Sequence, residues 1–251
     1  MLREDEKLPF TSHLEELRSR LIKSAVAVGA GFAICYGFKE TLFEILIYPL
    51  IRVMPEGGSL IFTGLPEAFF TYLKVSLLAG ILLASPVLLY QFWMFVAPGL
   101  YKKERHLLGP VIAITSFFFI GGALFGYFVV FPSGFKFLLG FGTDYIRTLP
   151  SMREYLDFST KLMIAFGLVF EMPVLLTFLA RLGVTSVEAL KRNRRYAVIL
   201  AFVVAAFLTP DVVSMLLMAF PLMILYEVAI WGARLVTRRK NAAEQTEKRP
   251  A

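Results

Sequence analysis

The sequence is poor in the residues that build metal centres, disulfides and nucleophilic triads. Its 251 residues hold one cysteine, Cys35, and two histidines, His13 and His106. A single cysteine excludes an internal disulfide and any cysteine cluster around a metal. Cys35 reads as a small apolar residue within a helix. The two histidines are distant in sequence and flank different apolar segments, so a metal pair between them is not expected. Gly-x-Ser-x-Gly, His-Glu-x-x-His and a glycine-rich phosphate loop are all missing. A serine–histidine dyad inside a membrane would need a histidine within an apolar segment, and neither lies in one. The chain is therefore not expected to be an enzyme, and no cofactor or metal is implied.

Charge is the second scarcity. Charged residues make up 18% of the chain and hydrophobic ones 57%, against about 25% and 45–50% in soluble domains. From Val75 to Tyr101 there is no Asp, Glu, Lys or Arg over 27 residues, and from His106 to Phe135 none over 30. A membrane crossing needs about 20 apolar residues at a rise of about 1.5 Å each. The expected fold class is an all-α integral membrane protein with six transmembrane helices. The spans fall at about 21–38, 69–98, 107–131, 162–180, 196–208 and 212–231. Residues 1–240 form a single six-span membrane domain, and the polar tail 241–251 is expected to be disordered.

What charge there is has a side. Nineteen of the 26 Lys and Arg residues lie in the N-terminal arm, the loops near 102–106 and 181–195, and the tail; the other connections hold seven. The positive-inside rule places the richer side in the cytoplasm, and an even number of spans puts both termini there. The net charge of +7 thus belongs to membrane topology, and nucleic acid is not an expected partner. The mixed-charge N-terminus has no persuasive small-residue cleavage site, unlike a cleavable signal.

Spans five and six are short. Fifteen residues separate Arg195 from Asp211, and fifteen separate Asp211 from Glu227. That is roughly 22 Å against a hydrocarbon core of about 30 Å. Either the bilayer thins around this pair or its flanking charges snorkel. Pro86, Pro110 and Pro132 allow bends that would curve a bundle into a concave shape.

A few polar residues stand out. Ser12-His13-Leu14-Glu15 has the form of a capping box, with Ser12 as N-cap and Glu15 reaching back. Leu14, Leu17 and Leu21 line one face of the helix it would start, and Glu16–Arg20 is an i, i+4 pair on a more polar face. Spacing alone favours a solvated helix at the headgroups. Glu104, among Lys102, Lys103 and Arg105, reads either as charge balance or as an anionic point for a guanidinium. Tyr90, Phe92, Trp93 and Phe95 read as an interfacial belt or as an apolar wall beside the Glu104 loop. Glu171 lies mid-span, followed by Met172-Pro173. An acid at that depth costs about 2.5–3.5 kcal/mol on insertion scales and usually faces a bundle interior or a wet cavity. It suits a proton or ion relay, or a polar contact for a partner segment.

Taken together these stretches resemble the TatC family, subunits of the twin-arginine protein translocase. The resemblance is carried by Ser12-His13-Leu14-Glu15-Glu16-Leu17-Arg18, by Ser85-Pro86 through Trp93, and by Phe95-Val96-Ala97-Pro98-Gly99-Leu100-Tyr101 with Lys103-Glu104-Arg105. Phe128 to Pro132, Ala165 to Pro173, and Leu208-Thr209-Pro210-Asp211 complete it. It implies a glove-shaped, concave six-helix receptor in the bacterial inner membrane. Such a receptor takes folded precursors bearing twin-arginine signal peptides and exports them with the proton-motive force. Its implied partners are single-span subunits of the TatA and TatB type, lipids and further copies of itself. By motif, Glu16 and Glu104 contact the arginine pair, with Arg18 and Phe95 beside them. Glu171 lies in the cavity, and the short fifth and sixth spans around Thr209, Pro210 and Asp211 meet partner subunits. Glu15 departs from the pattern; Glu16 is favoured as the contact because Glu15 has the capping role. The rival reading, a proton-coupled transporter of a small solute, predicts an inverted repeat that the sequence lacks.

Overall fold

Helices account for most of the described residues. The computed structural model describes residues 10–55, 58–62, 64–96, 108–141, 149–209 and 212–247. The elements are α1 (Phe10–Tyr36), α2 (Lys39–Ile51), α3 (Glu67–Val96), α4 (Leu108–Phe125), α5 (Phe131–Leu139), α6 (Met152–Phe170), α7 (Met172–Arg181), α8 (Val187–Arg192), α9 (Arg194–Leu208) and α10 (Val212–Glu247). A π-helical turn, Gly126–Val130, joins α4 to α5, so the two make one unit through Gly109–Leu139. Likewise α6 and α7 make one unit, Met152–Arg181. Five units are long and apolar enough to cross a bilayer: these two, Ser12–Tyr36, Glu67–Val96 and Met215–Arg238. The sixth crossing is α9, with 15 residues.

The helices run past the apolar segments that announce them. Helix α1 already includes Phe10 and Thr11, so the helix starts upstream of Ser12, the expected N-cap. An S-x-x-E spacing marks a helix start only where the chain upstream is not helical, and here it is. Helix α10 continues through Glu247, where a disordered tail was expected from residue 241. Ala242, Ala243, Glu244, Gln245 and Glu247 are good helix formers, and polarity alone does not stop a helix already propagating. Pro132 ends no helix; it takes one of the first positions of α5, directly after the π-helical turn that joins α5 to α4.

Packing runs from neighbour to neighbour: α1 on α3, α3 on α4, α4 on α6, α7 on α10, and α10 on α9. Two close crossings set this order. A Cβ on Gly31 would lie 2.6 Å from the Gly80 carbonyl oxygen, and one on Gly80 would lie 2.6 Å from the Phe32 nitrogen. A Cβ on Gly122 would meet the Phe166 carbonyl oxygen at 2.5 Å, and one on Gly167 the Phe119 ring at 2.9 Å. These glycines let α1 touch α3, and α4 touch α6, backbone to backbone. The largest core gathers Leu46 and Leu50 of α2, Val75, Phe131, Leu156, Phe166 and Met218.

On the side opposite the basic loops, side chains tie the connecting segments down. Pro49 lies inside α2 and has no N–H to give the carbonyl four residues back. That carbonyl, of Ile45, accepts instead from the Tyr127 hydroxyl, and the next, of Leu46, accepts from the Tyr155 hydroxyl. Residues 61 and 151 pair as one parallel bridge, with Ile61 N–H donating to Pro150 at 3.1 Å and Met152 N–H to Ile61 at 2.9 Å. Glu67 locks this bridge. Its carboxylate, 8% exposed, accepts from Gly64 N–H at 3.2 Å, Ser151 Oγ at 3.1 Å and Arg153 N–H at 2.9 Å. The first bond closes the turn that leads into α3. The last satisfies a first-turn donor of α6, so the carboxylate that closes this turn also caps α6. Deeper along the same pair, Lys74 of α3 pairs with Asp157 of α6.

Candidate functional site

The basic side, where Glu16, Arg18 and Phe95 lie, is assembled from the first turns of α1 and the last turns of α3. His13, Glu16 and Arg20 recur at i, i+3 and i+7, one face of α1. Gln91 and Phe95 recur at i, i+4 on α3. These two faces meet as rungs. The His13 and Phe95 rings stack, with centroids 4.5 Å apart. One rung deeper, the Arg20 guanidinium donates from Nη1 to Gln91 Oε1 at 3.1 Å. Between the rungs lies Glu16, whose Oε1 accepts from Arg20 Nη2 at 2.9 Å and Nε at 3.3 Å. Both side chains of this pair are partly buried, Arg20 at 18% exposed and Glu16 at 27%. Glu15 and Arg18 are exposed on the outer faces of the same turns.

The end of α3 is fixed from behind. Trp93 is 1% exposed and meets Phe178 of α7 edge-on at 4.5 Å. Tyr90 and Phe92, which flank Trp93 around the helix, are exposed. The aromatic run thus divides: two rings face outward at the level of a membrane interface, and one anchors α3 to α7. Phe95 continues toward residues 97–107. Glu104 lies in that stretch, outside the described residues, as do His106 and, at the far end of α9, Pro210 and Asp211. Phe95 belongs to the last two residues of α3, so the loop carrying Glu104 leaves from the rung that holds His13.

Glu171 marks the break between α6 and α7. Pro173 has no N–H for the Val169 carbonyl; the Glu171 N–H turns toward the Leu168 and Val169 carbonyls instead. The carboxylate Oε1 is buried and has no hydrogen-bond partner among the described residues. Just past it, Pro173, Thr177 and Phe178 line an apolar groove of about 620 Å³, closed on its other walls by Val111, Trp231 and Gly232. Thr209, at the far end of α9, is buried, and its hydroxyl donates back to the Ala205 carbonyl at 2.8 Å. At the near end, Arg194 pairs with Glu227 of α10. The pair sets the length of the α9–α10 hairpin, about 22 Å of helix on each side, after which α10 continues beside α7 and α8.

Of the expected site residues, Glu16 and Phe95 lie on the facing sides of α1 and α3, Arg18 is exposed on the outer side of α1, and Glu171 lies apart in α6–α7. Gln91, its brace on Arg20, and the Glu67 cap on α6 were not foreseen. The Glu16–Arg20 spacing was the one local signal; the partners across helices are 71 to 86 positions away. Among the described residues, no group of three or more His, Cys, Asp or Glu is placed to hold a metal.

Comparison with known proteins gives a consistent result. The family described as Sec-independent protein translocase protein (TatC) matches residues 12–221. The Sec-independent protein translocase protein TatC of Desulforapulum autotrophicum is 59% identical over 246 residues, covering 98% of this chain and 91% of the relative. That of Aquifex aeolicus is 42% identical over 240 residues, covering 95% and 100%. The crystal structure of a twin arginine translocase receptor, TatC, superposes with a TM-score of 0.79 at 42% identity, covering 90% of this chain and 99% of that one.

Proposed function

The chain belongs to the TatC family of Sec-independent protein translocase proteins, and we propose that its basic side is the receptor surface for twin-arginine signal peptides. As a family member it is a core subunit of the twin-arginine translocase, a six-span protein of the inner membrane that serves protein transport. A transporter of small solutes is not favoured by these relatives.

Within that role, Glu16 and Glu104 hold the arginine pair of the signal, with Arg18 and Phe95 at its flanks. The observation that carries this reading is the placement of Glu16. Its carboxylate is partly buried, held in one orientation, and lies on the side where the loop of Glu104 leaves α3. A charged hydrogen bond there is worth about 1.5–3 kcal/mol. A guanidinium keeps its charge at any physiological pH. Both termini are cytoplasmic in this reading, which the bias of Lys and Arg supports. Glu171 supplies a polar point for an inserted segment or a partner helix, supported by its buried Oε1, which has no hydrogen-bond partner among the described residues. The α9–α10 hairpin around Thr209, Pro210 and Asp211 receives the single-span TatA and TatB type subunits, supported by its short length. Residues 1–240 act as one membrane domain that assembles with further copies, and the proton-motive force drives export.

The test is capture of a twin-arginine signal peptide, and of its twin-lysine variant, by the detergent-solubilised chain. The Glu16→Ala, Glu104→Ala double variant is expected to lose at least about tenfold in affinity for the arginine peptide. Undiminished binding would remove the assignment.

A further inference from the structure

We propose that Arg20, braced by Gln91, sets the preference of the Glu16 carboxylate for a guanidinium over an ammonium ion. The inference rests on the reading of Glu16 as a contact for signal arginines.

The geometry is specific. All three nitrogens of the Arg20 guanidinium are engaged: Nε at 3.3 Å and Nη2 at 2.9 Å on Glu16 Oε1, and Nη1 at 3.1 Å on Gln91 Oε1. Both lone pairs of Oε1 are thereby taken. Oε2 accepts no hydrogen bond among the described residues. Gln91 is 8% exposed, so its amide is a fixed point for Arg20 to brace against. The carboxylate therefore presents one oxygen, in one direction, with a positive charge already in contact on its other side.

That arrangement treats two incoming cations differently. An ammonium ion is compact and strongly hydrated, and it gains from a carboxylate chiefly by Coulomb attraction. Arg20 cancels much of that attraction. A guanidinium is weakly hydrated and planar; it donates in a defined plane and stacks on aromatic rings. The stacked His13 and Phe95 rings stand one turn from Glu16 on the same helix faces. Selectivity arises here from a repelling element as well as an attracting one. Arg20 is a positioning residue, and it acts through Glu16.

The experiment titrates the full-length chain in detergent with a labelled twin-arginine peptide and its twin-lysine counterpart. Arg20→Gln is expected to raise affinity for the lysine peptide, so that the arginine-over-lysine ratio falls about tenfold, the low end of one charged hydrogen bond. Arg20→Lys keeps the charge and the fold but not the three-point hold, and its ratio is expected to lie between. Gln91→Leu, which frees the guanidinium, should also lower the ratio. An unchanged ratio in Arg20→Gln, or an equal loss for both peptides, overturns the proposal. Glu16→Gln separates the two levels. If it weakens arginine-peptide binding while Arg20→Gln leaves the ratio intact, only the specificity role is wrong. If Glu16→Gln changes nothing, the reading of Glu16 fails and takes the proposal with it.

Discussion

Glutamine at position 67 keeps the size of the side chain and removes its charge. Glu67 accepts three hydrogen bonds, two from backbone N–H groups and one from a serine hydroxyl. One of the amide donors, Arg153, belongs to the first turn of α6, where a negative charge also meets the positive end of the helix. A charge–dipole contact of this kind contributes about 0.3–2 kcal/mol, and hydrogen bonds to a charged acceptor about 1.5–3 kcal/mol against about 1 for neutral ones. Glutamine retains one acceptor oxygen and turns an NH₂ toward the remaining donors. The summed loss is about 2–4 kcal/mol, confined to the junction of residues 61–67 with 150–153. Amide hydrogen exchange at Gly64 and Arg153 measures it directly, since local opening energies set exchange rates. A factor of ten per 1.4 kcal/mol gives a rate increase of about 30- to 1000-fold at these two amides. The Leu82 amide, in the middle of α3, should not change. Less than about a threefold rise at Arg153 would refute the claim that Glu67 caps α6.

The remaining predictions concern other joints. Tyr127→Phe orphans the Ile45 carbonyl and should cost about 1–3 kcal/mol; with Pro49→Ala in place, which restores the missing N–H, the same change should cost less, as a double-mutant cycle on thermal unfolding would read. Gly31→Val drives a side chain into the Gly80 carbonyl, and should destabilise the α1–α3 contact by about 3 kcal/mol or more, seen as lost crosslinking between engineered cysteines on the two helices. Glu171→Leu removes a buried oxygen that has no hydrogen-bond partner among the described residues. It is expected to leave thermal stability unchanged or raised by about 1–2 kcal/mol while export in cells falls. Full export by that variant would remove any polar role for Glu171.

Much of the architecture was legible because it depends on local composition. Two charge-free runs and four shorter apolar segments announced the spans, and the distribution of Lys and Arg distinguished the two faces. The short α9 was visible from the positions of Arg195 and Asp211. Helix ends were less legible. The Ser12 pattern has the right spacing, but a helix already under way at Phe10 overrides it. The tail beyond residue 240 is polar enough to look unstructured, yet its Ala and Glu content extends α10. The site was legible by half. Glu16 and Arg20 are four residues apart, so their pairing follows from helical periodicity. Gln91, Phe95 and Glu67 work through partners on other helices, and such contacts leave no periodic trace in a single sequence. Pro49 leaves a local trace: a proline inside a helix implies that some other donor must serve the freed carbonyl.

The crossing at Gly31 and Gly80 also bears on how the chain is made. Helix α1 leaves the ribosome before α3, and its glycine contact lies 49 residues further along. At about 5–20 residues per second, α1 waits roughly 2–10 s before α3 exists to receive it. During that interval it must be a tolerable guest in lipid by itself. Its finished state already resembles that condition, since 11% of its spanning window is buried in the folded protein. Insertion of α1 and its docking are thus separate events in time, and an early-arriving helix can be stored in the bilayer without exposing a surface that another protein would have to shield.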